Sequence, residues 1–294
     1  MDIAHLQAFV VVAEQKSFSA ASTQLYLTQP AISKRISSLE TELGVALFDR
    51  IGRQVTLTEA GRALLRRAQH ILEEVDDTRR TLSNLSGVVG GQLSIGTSHH
   101  IGLHRLPPVL RHYTASYPDV QLDLHFMDSE AACQEVLRGH LELGIVTLPL
   151  DRPEELLYRR IWPDPLAVVV GMHHPLAERK RLKPEQLIAV PAILPSTGTF
   201  TRQLVEKAFA PLDLSLQVSM STNYLETIRM LVSIGLGWSV LPRTMTGHDV
   251  KPIRVDGIDM ERELGVVWHA KRTLTNAATA MRDLLEQSAF QVHA

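Results

Sequence analysis

Residues 28–43 read TQPAISKRISSLETEL, and this stretch decides the fold. Thr28 suits a helix cap, and Pro30 suits the first turn, where its missing N–H has no partner in any case. On a helical wheel Ile32, Ile36, Leu39 and Leu43 share one stripe roughly 60° wide. The opposite face carries Pro30, Ser33, Lys34, Ser37, Ser38 and Thr41, with Gln29 and Arg35 on its flanks. A face that is merely solvated usually holds long Glu/Lys pairs. This one is short, hydroxyl-rich and positive, the surface of a helix that must lie close against an acceptor-rich partner.

Upstream, Ile3, Leu6, Phe9, Val10 and Ala13 recur at helical spacing over residues 3–15. In SFSAASTQLYL, Ser19 is the expected cap of a short helix through Leu25, and small Ala20 and Ala21 let a neighbouring helix approach. Leu27-Thr28 then turns the chain into the quoted helix, a helix-turn-helix arrangement. Downstream, GVALFDRIGRQVTLTEAG begins with a helix-ending Gly44. Residues 46–48 and 55–57 read as short strands around the loop 51–54. The result is a small hairpin, or wing, with Arg50 and Arg53 at its tip. From Thr58 a long helix begins. Leu64, Ala68, Ile71, Val75, Thr78, Leu82 and Leu85 alternate steps of four and three, a heptad seam along a helix of about 42 Å. Such a seam on a polar helix predicts a second copy of the chain. Gly87, Gly90 and Gly91 end the helix and mark a hinge.

At 294 residues the chain suits two or three domains. Lys plus Arg number 30 against 32 for Asp plus Glu, so the net charge of −2 excludes a whole-protein polycation. Positive charge is local: residues 28–67 hold seven basic groups (Lys34, Arg35, Arg50, Arg53, Arg62, Arg66, Arg67) against four acidic ones, Glu40, Glu42, Asp49 and Glu59. The single cysteine, Cys133, precludes an internal disulfide and fits a reducing cytosol, where it is expected to pack as a small apolar residue. MDIAHLQAFVVVAEQ carries Asp2 and Glu14, unlike a secretory signal, and no apolar run approaches about 18 residues. A cytoplasmic protein without a membrane partner is expected.

Beyond Gly91 the pattern becomes α/β. QLSIGTS, VQLDLHFM, LELGIVTL and LYRRIWPDPLAVVVGM read as strands, the last interrupted by Pro163 and Pro165, with helices between them. LSLQVSM, GWSVL and ELGVVWHA follow, again with helices interleaved. Alternation of this kind predicts a mainly parallel sheet with ligand chemistry at the strand ends. The chain is expected to leave one lobe near Asp164-Pro165 and return near Glu263-Leu264, giving a hinged two-lobe binder.

FSAASTQLYLTQPAISKRISSLETELGVALFDRIGRQVTLTEAG closely resembles the N-terminal signature of LysR-type transcriptional regulators. The resemblance continues through LSIGTS, the Tyr117-Pro118 turn, LRGHLELGIV and GLGWSVLP, and covers essentially residues 3–288. It implies a winged helix-turn-helix domain over residues 1–58, a linker and dimerisation helix with hinge over 59–91, and an effector domain over 92–294. That last domain would be α/β and resemble two-lobe periplasmic binding proteins, with lobe I at 92–163 and 265–294 and lobe II at 164–264. It further implies a homodimer or homotetramer on promoter DNA, RNA polymerase as a further partner, and no cofactor. By position, Gln29, Pro30, Ser33, Lys34 and Arg35 fall where family members face the major groove, and Arg50 and Arg53 where the wing meets backbone or minor groove. Their chemistry agrees: Gln29 offers donor and acceptor to an adenine edge, hydroxyls donate to phosphate, and Lys34 and Arg35 reach guanine or phosphate acceptors.

For the effector, three stretches are expected at strand ends: Thr97-Ser98-His99-His100, Asp128-Ser129 after Met127, and Ser196-Thr197-Gly198-Thr199. Hydroxyls and free N–H groups at helix N-termini make anion sites. In the family, positions matching Thr97, Ser98 and 196–199 commonly hold the effector. Thr147 and Asn223 are further candidates. His99-His100, with Arg105 soon after, depart from the small neutral residues more common there and favour a small anionic effector. His100 and His104 stand four apart, yet no Cys/His spacing of the zinc kind follows, so no metal site is expected. An anion-binding enzyme or a solute-binding protein of the same architecture is the alternative. The cleft offers Asp128 and two histidines but no Ser-His-Asp order or paired carboxylates, so no catalytic residue is expected.

Overall fold

The computed structural model describes residues 1–51, 54–212 and 215–291. The chain forms two compact units, Met1–Ser86 and Gly87–Ala294.

In the first unit, helix α1 spans Ile3–Gln15, and the Asp2 carboxylate accepts the Ala4 N–H at 2.7 Å. Helix α2 spans Phe18–Gln24 and is capped by Ser17, not Ser19. The reason lies in the core: Phe18 is buried in the first turn, so the cap must precede it. Helix α3, Gln29–Leu43, begins at the Thr28 cap and ends at Gly44, whose φ of +71° suits a residue without a Cβ. Ile32, Ile36 and Leu39 are fully buried against Leu6, Phe9 and Phe18, whereas Leu43 stays at the exposed rim. Strands β1 (Phe48–Ile51) and β2 (Gln54–Leu57) pair antiparallel. The wing starts two residues later than its hydrophobicity suggests. The Glu40 carboxylate accepts the N–H groups of Leu47 and Phe48 at 2.8 and 3.4 Å, which ties that segment back to α3.

Helix α4 runs Glu59–Asn84, about 39 Å at 1.5 Å per residue. Its start grips the wing: a Cβ on Gly61 would lie 2.2 Å from the Leu47 carbonyl oxygen, a contact only glycine permits. The heptad seam divides in two. Leu64, Ala68 and Ile71 pack into the core of their own unit. Thr78, Leu82 and Leu85 are exposed, the leucines at 62% and 79%.

The second unit continues, in chain order, with β3 (Gly91–Thr97), α5 (His99–His104), α6 (Leu106–Ser116), β4 (Val120–Phe126), α7 (Ser129–Arg138) and β5 (Leu143–Thr147). Strand β6 (Leu156–Gly171) then crosses to lobe II, which holds β7 (Arg181–Leu182), α8 (Pro184–Ile188), β8 (Ala192–Leu194) and α9 (Phe200–Phe209). It goes on with β9 (Val218–Ser221), α10 (Leu225–Ser233), β10 (Ser239–Pro242) and β11 (Val250–Val255). Strand β12 (Met260–His269) returns to lobe I and leads to α11 (Asn276–Gln291).

The main sheet has the order β4-β3-β5-β12-β6-β11-β7, with β10 also on β6. It is mixed, not mainly parallel. β3 runs parallel to β4 and β5, but β12 is antiparallel to both β5 and β6. Two strands that cross between lobes in opposite senses can pair in no other way. The prolines do not interrupt β6. Pro163 and Pro165 share one edge of the strand, and β10 and β11 pair with it only from Leu166 onward, so no ladder is broken there. Register shifts at Leu264/Gly265, a bulge at the crossing. Lobe I is built on Leu93, Ile95, Tyr113, Ile145, Trp162 and Met281, and lobe II on Val168, Val205, Phe209, Trp238 and Val240. Among the described residues no helix is long and apolar enough to cross a membrane.

Candidate functional site

Two sites emerge, one in each unit. On α3 the buried Ile32, Ile36 and Leu39 turn the polar face outward. Gln29, Pro30 and Lys34 are exposed, and Ser33 and Arg35 half-buried. Arg50 falls in β1, and Arg53 lies outside the described residues. Reasoning from sequence missed Tyr26, 95% exposed in the turn before α3 and held at φ +52°. A bulky residue in the left-handed region is uncommon, and an aromatic beside α3 offers a hydroxyl and a flat face together. The only signal in the sequence was a tyrosine in a turn with no core to join.

In the second unit a cavity of about 60 Å³ lies between the lobes, with room for about two waters. Its walls include Ser98, His99 and His100 from lobe I, with Asp128, Ser129 and Thr147 beside them. Lobe II contributes Thr199 and Asn223. The structure keeps Thr97 out. It is fully buried, and its hydroxyl donates to the Ile145 carbonyl at 2.8 Å, tying β3 to β5. Ser196, Thr197 and Gly198 shape the turn before α9 without lining the cavity. The Ser196 N–H donates to Asn223 Oδ1 at 2.9 Å, and Gly198 takes φ +91°. Most of the hydroxyls have structural work as well: Ser98 accepts the Ile101 N–H, Ser129 the Thr147 N–H, and Thr199 the Arg202 N–H.

The charged groups at the centre were not foreseen. Arg262 donates to Asp164 at 2.6 Å and to the Thr201 hydroxyl at 3.1 Å; all three are buried. Arg262 and Asp164 are direct partners in the β12–β6 register, at the crossing between lobes. Arg105 reaches toward the other Asp164 oxygen at 3.6 Å. One Arg262 nitrogen, Nη2, has no hydrogen-bond partner among the described residues. The sequence did carry a signal: in MERELG the alternation that buries Met260 and Leu264 also turns Arg262 inward.

Contacts between the lobes hold the cleft narrow. The Phe200 N–H, at the first turn of α9, donates to the Glu130 carboxylate from α7. Burial pushes the Glu130 carboxyl up, an effect that the backbone N–H bonds it accepts only partly offset. Asn223 donates to Asp128 at 2.7 Å, and His104 meets Glu226 at 3.0 Å. Burial, reinforced by nearby Arg262, lowers His100 to about 4. His100 therefore stays neutral at physiological pH. The exposed His99 ring packs 5.4 Å from Phe126 and 4.9 Å from Tyr224 of the other lobe.

Residues 3–62 match the description "bacterial regulatory helix-turn-helix protein, lysR family", and residues 86–289 match "LysR substrate binding domain". The chain belongs to the LysR family of transcriptional regulators. Over 98% of this LysR-family chain and 86% of its relative, it is 29% identical to a probable RuBisCO transcriptional regulator of Synechocystis. Over 108 residues, 37% of the chain and 75% of the relative, it is 65% identical to an uncharacterized HTH-type transcriptional regulator in the ibpB-leuC intergenic region of Azotobacter vinelandii. In fold it is similar to full-length CbnR complexed with its target DNA, with a TM-score of 0.62, 23% identity, and coverage of 98% of this chain and 100% of that one. The chain is therefore a DNA-binding transcriptional regulator with an effector-binding domain.

A larger concavity of this LysR-family chain, about 810 Å³, lies on lobe II beside Lys180, Arg181, Arg243 and Arg254. Its cations are exposed and it draws on one lobe alone. The interlobe cavity is smaller, but there buried charge and elements of both lobes converge, and that is the site a hinged binder can open and close. Cys133 packs buried in the core of α7, its thiol pushed up to about 12 by burial.

Proposed function

We propose that this regulator binds promoter DNA as a homodimer or homotetramer and responds to a small anionic effector held between its lobes. Residues 1–58 form the reading domain, 59–91 the linker and hinge, and 92–294 the sensor. Gln29, Pro30, Ser33, Lys34 and Arg35 face the major groove, while Arg50 and Arg53 hold the wing to backbone or minor groove. Thr78, Leu82 and Leu85 are the part of the seam that a second copy covers, since their own unit leaves them exposed. The setting is the cytoplasm, with RNA polymerase as the downstream partner. No catalytic role is assigned.

One observation carries the anionic reading. The α9 N-terminus already accepts a carboxylate, that of Glu130, and an unpartnered Arg262 nitrogen lies close by. The Phe200 N–H and the positive end of the helix dipole favour the same charge. An effector carboxylate or oxyanion would displace Glu130, relieve its unfavourable burial and widen the cavity. Calorimetric titration of the full chain with small organic carboxylates and inorganic oxyanions tests this. The expected outcome is a bound anion whose affinity rises in Glu130→Gln, where the internal competitor has lost its charge. Exclusive binding of cations or apolar amines would contradict it.

A further inference from the structure

The contact between His104 and Glu226 across the lobes is not a plain ion pair, because a third group, His100, stands beside it. His100 and His104 stand one helical turn apart on α5, and the first turn of α10 brings Glu226 up to them from the other lobe. One potential ligand atom from each residue lies within 4.8 Å of the other two. His104 Nε2 and Glu226 Oε1 are 3.0 Å apart. Neither ring nitrogen of the buried His100 has a hydrogen-bond partner among the described residues, although buried polar atoms normally find one. The rings of His100 and His104 are 4.9 Å apart, centroid to centroid.

We infer that His100, His104 and Glu226 form a binding site for a divalent transition-metal ion, zinc(II) foremost, that bridges the two lobes. The donor set argues for it. Two imidazoles and one carboxylate are a recurrent open zinc set, and two histidines spaced i, i+4 on a helix face one ion. Ligands at about 2.1 Å from a tetrahedral ion lie about 3.4 Å apart. The observed spacing, from 3.0 to at most 4.8 Å, needs side-chain adjustment of about an ångström and no backbone rearrangement. Charge does not oppose it. Arg262 faces His100, but Asp164 and Glu226 face it too, and Arg262 is already paired with Asp164. His104 and Glu226 are exposed, which leaves the ion a way in.

The sequence left this pair of histidines one ligand short. The fold supplies the third from 122 residues away. Because His100 also lines the interlobe cavity, an open coordination position would be available to an effector oxygen. The ion itself does not depend on the effector's identity: it would clamp α5 to α10 whether or not an anion is bound.

The test uses the full chain stripped with a chelator, then titrated with zinc(II) in competition with a chromophoric chelator. One zinc ion per chain is expected, with affinity reduced at least tenfold by His104→Gln and, separately, by Glu226→Gln. Both residues are exposed, so both variants are expected to fold. Melting of each chain without metal measures what loss of the ion pair alone costs. Cobalt(II) in place of zinc should give a visible absorption spectrum that both variants abolish. Zinc affinity unchanged in both variants would place the ion on other histidines and overturn the proposal, as would an absence of binding at excess zinc.

Discussion

The reading face of α3 and the cleft between the lobes are both polar surfaces set on an apolar scaffold, yet they are built in opposite ways. The α3 face comes from neighbouring positions of one helix, among them Gln29, Pro30, Ser33, Lys34 and Arg35, and is complete as soon as that helix is packed. The cleft draws on residues from Ser98 to Arg262 along the chain, and its carboxylates Asp128 and Glu130 are paired across the lobes. A groove reader can be rigid and local. A sensor must be assembled from parts that move, and its closing contacts are the ones a ligand can replace.

That contrast breaks most visibly at Arg262. Replacing it with alanine leaves the fully buried Asp164 with only the more distant Arg105, a loss of about 3–5 kcal/mol. Urea unfolding should show this in the effector unit's transition, with the transition of the first unit unmoved. A loss below about 1 kcal/mol would mean that the pair is not the keystone of the crossing. The parallel change in the other unit is Ile36→Ala, which empties a fully buried position beneath the reading face and should cost about 2–5 kcal/mol. Its effect on DNA binding should come through unfolding alone, and low temperature should restore it. Lys34→Ala sharpens the contrast from the surface: stability should stay within about 0.5 kcal/mol. DNA affinity should fall, and the salt slope should shrink by about one.

The smallest effect concerns pH. Burial raises the Glu130 carboxyl in the folded chain above its ordinary value, so the folded state takes up that proton before the unfolded state does. Ionised Glu130 therefore costs stability near neutrality, and the cost fades as pH falls through the raised value. Thermal melting of the chain against Glu130→Gln should show the wild type gaining on the variant as pH is lowered from 7 toward 4.5. A wild type that loses ground over that range would reverse the assignment.

What could be read beforehand follows from this difference. Helical period and caps placed α3 and its polar side, because both are local. Ser17 and Ser19 carry the same capping hydroxyl, and only the burial of Phe18 decides between them. The heptad seam was visible, but its division was not: period alone does not say that Leu64, Ala68 and Ile71 serve their own core. In the cleft the hydroxyl-bearing helix starts were legible, yet the charges that organise it were not. Asp164 and Arg262 lie 98 residues apart and meet only because β6 and β12 cross together. Thr97 read as a ligand group because it ends a strand, whereas its hydroxyl is spent on the neighbouring strand.

The central claim is that the polar face of α3 reads duplex DNA. Fluorescence anisotropy of the full chain on a duplex from upstream of its own gene, repeated as salt is raised, tests it most directly. The account predicts tight binding that weakens steeply with salt and flattens in the Lys34→Ala, Arg53→Ala double variant. Binding that ignores both the salt and the double substitution would contradict it.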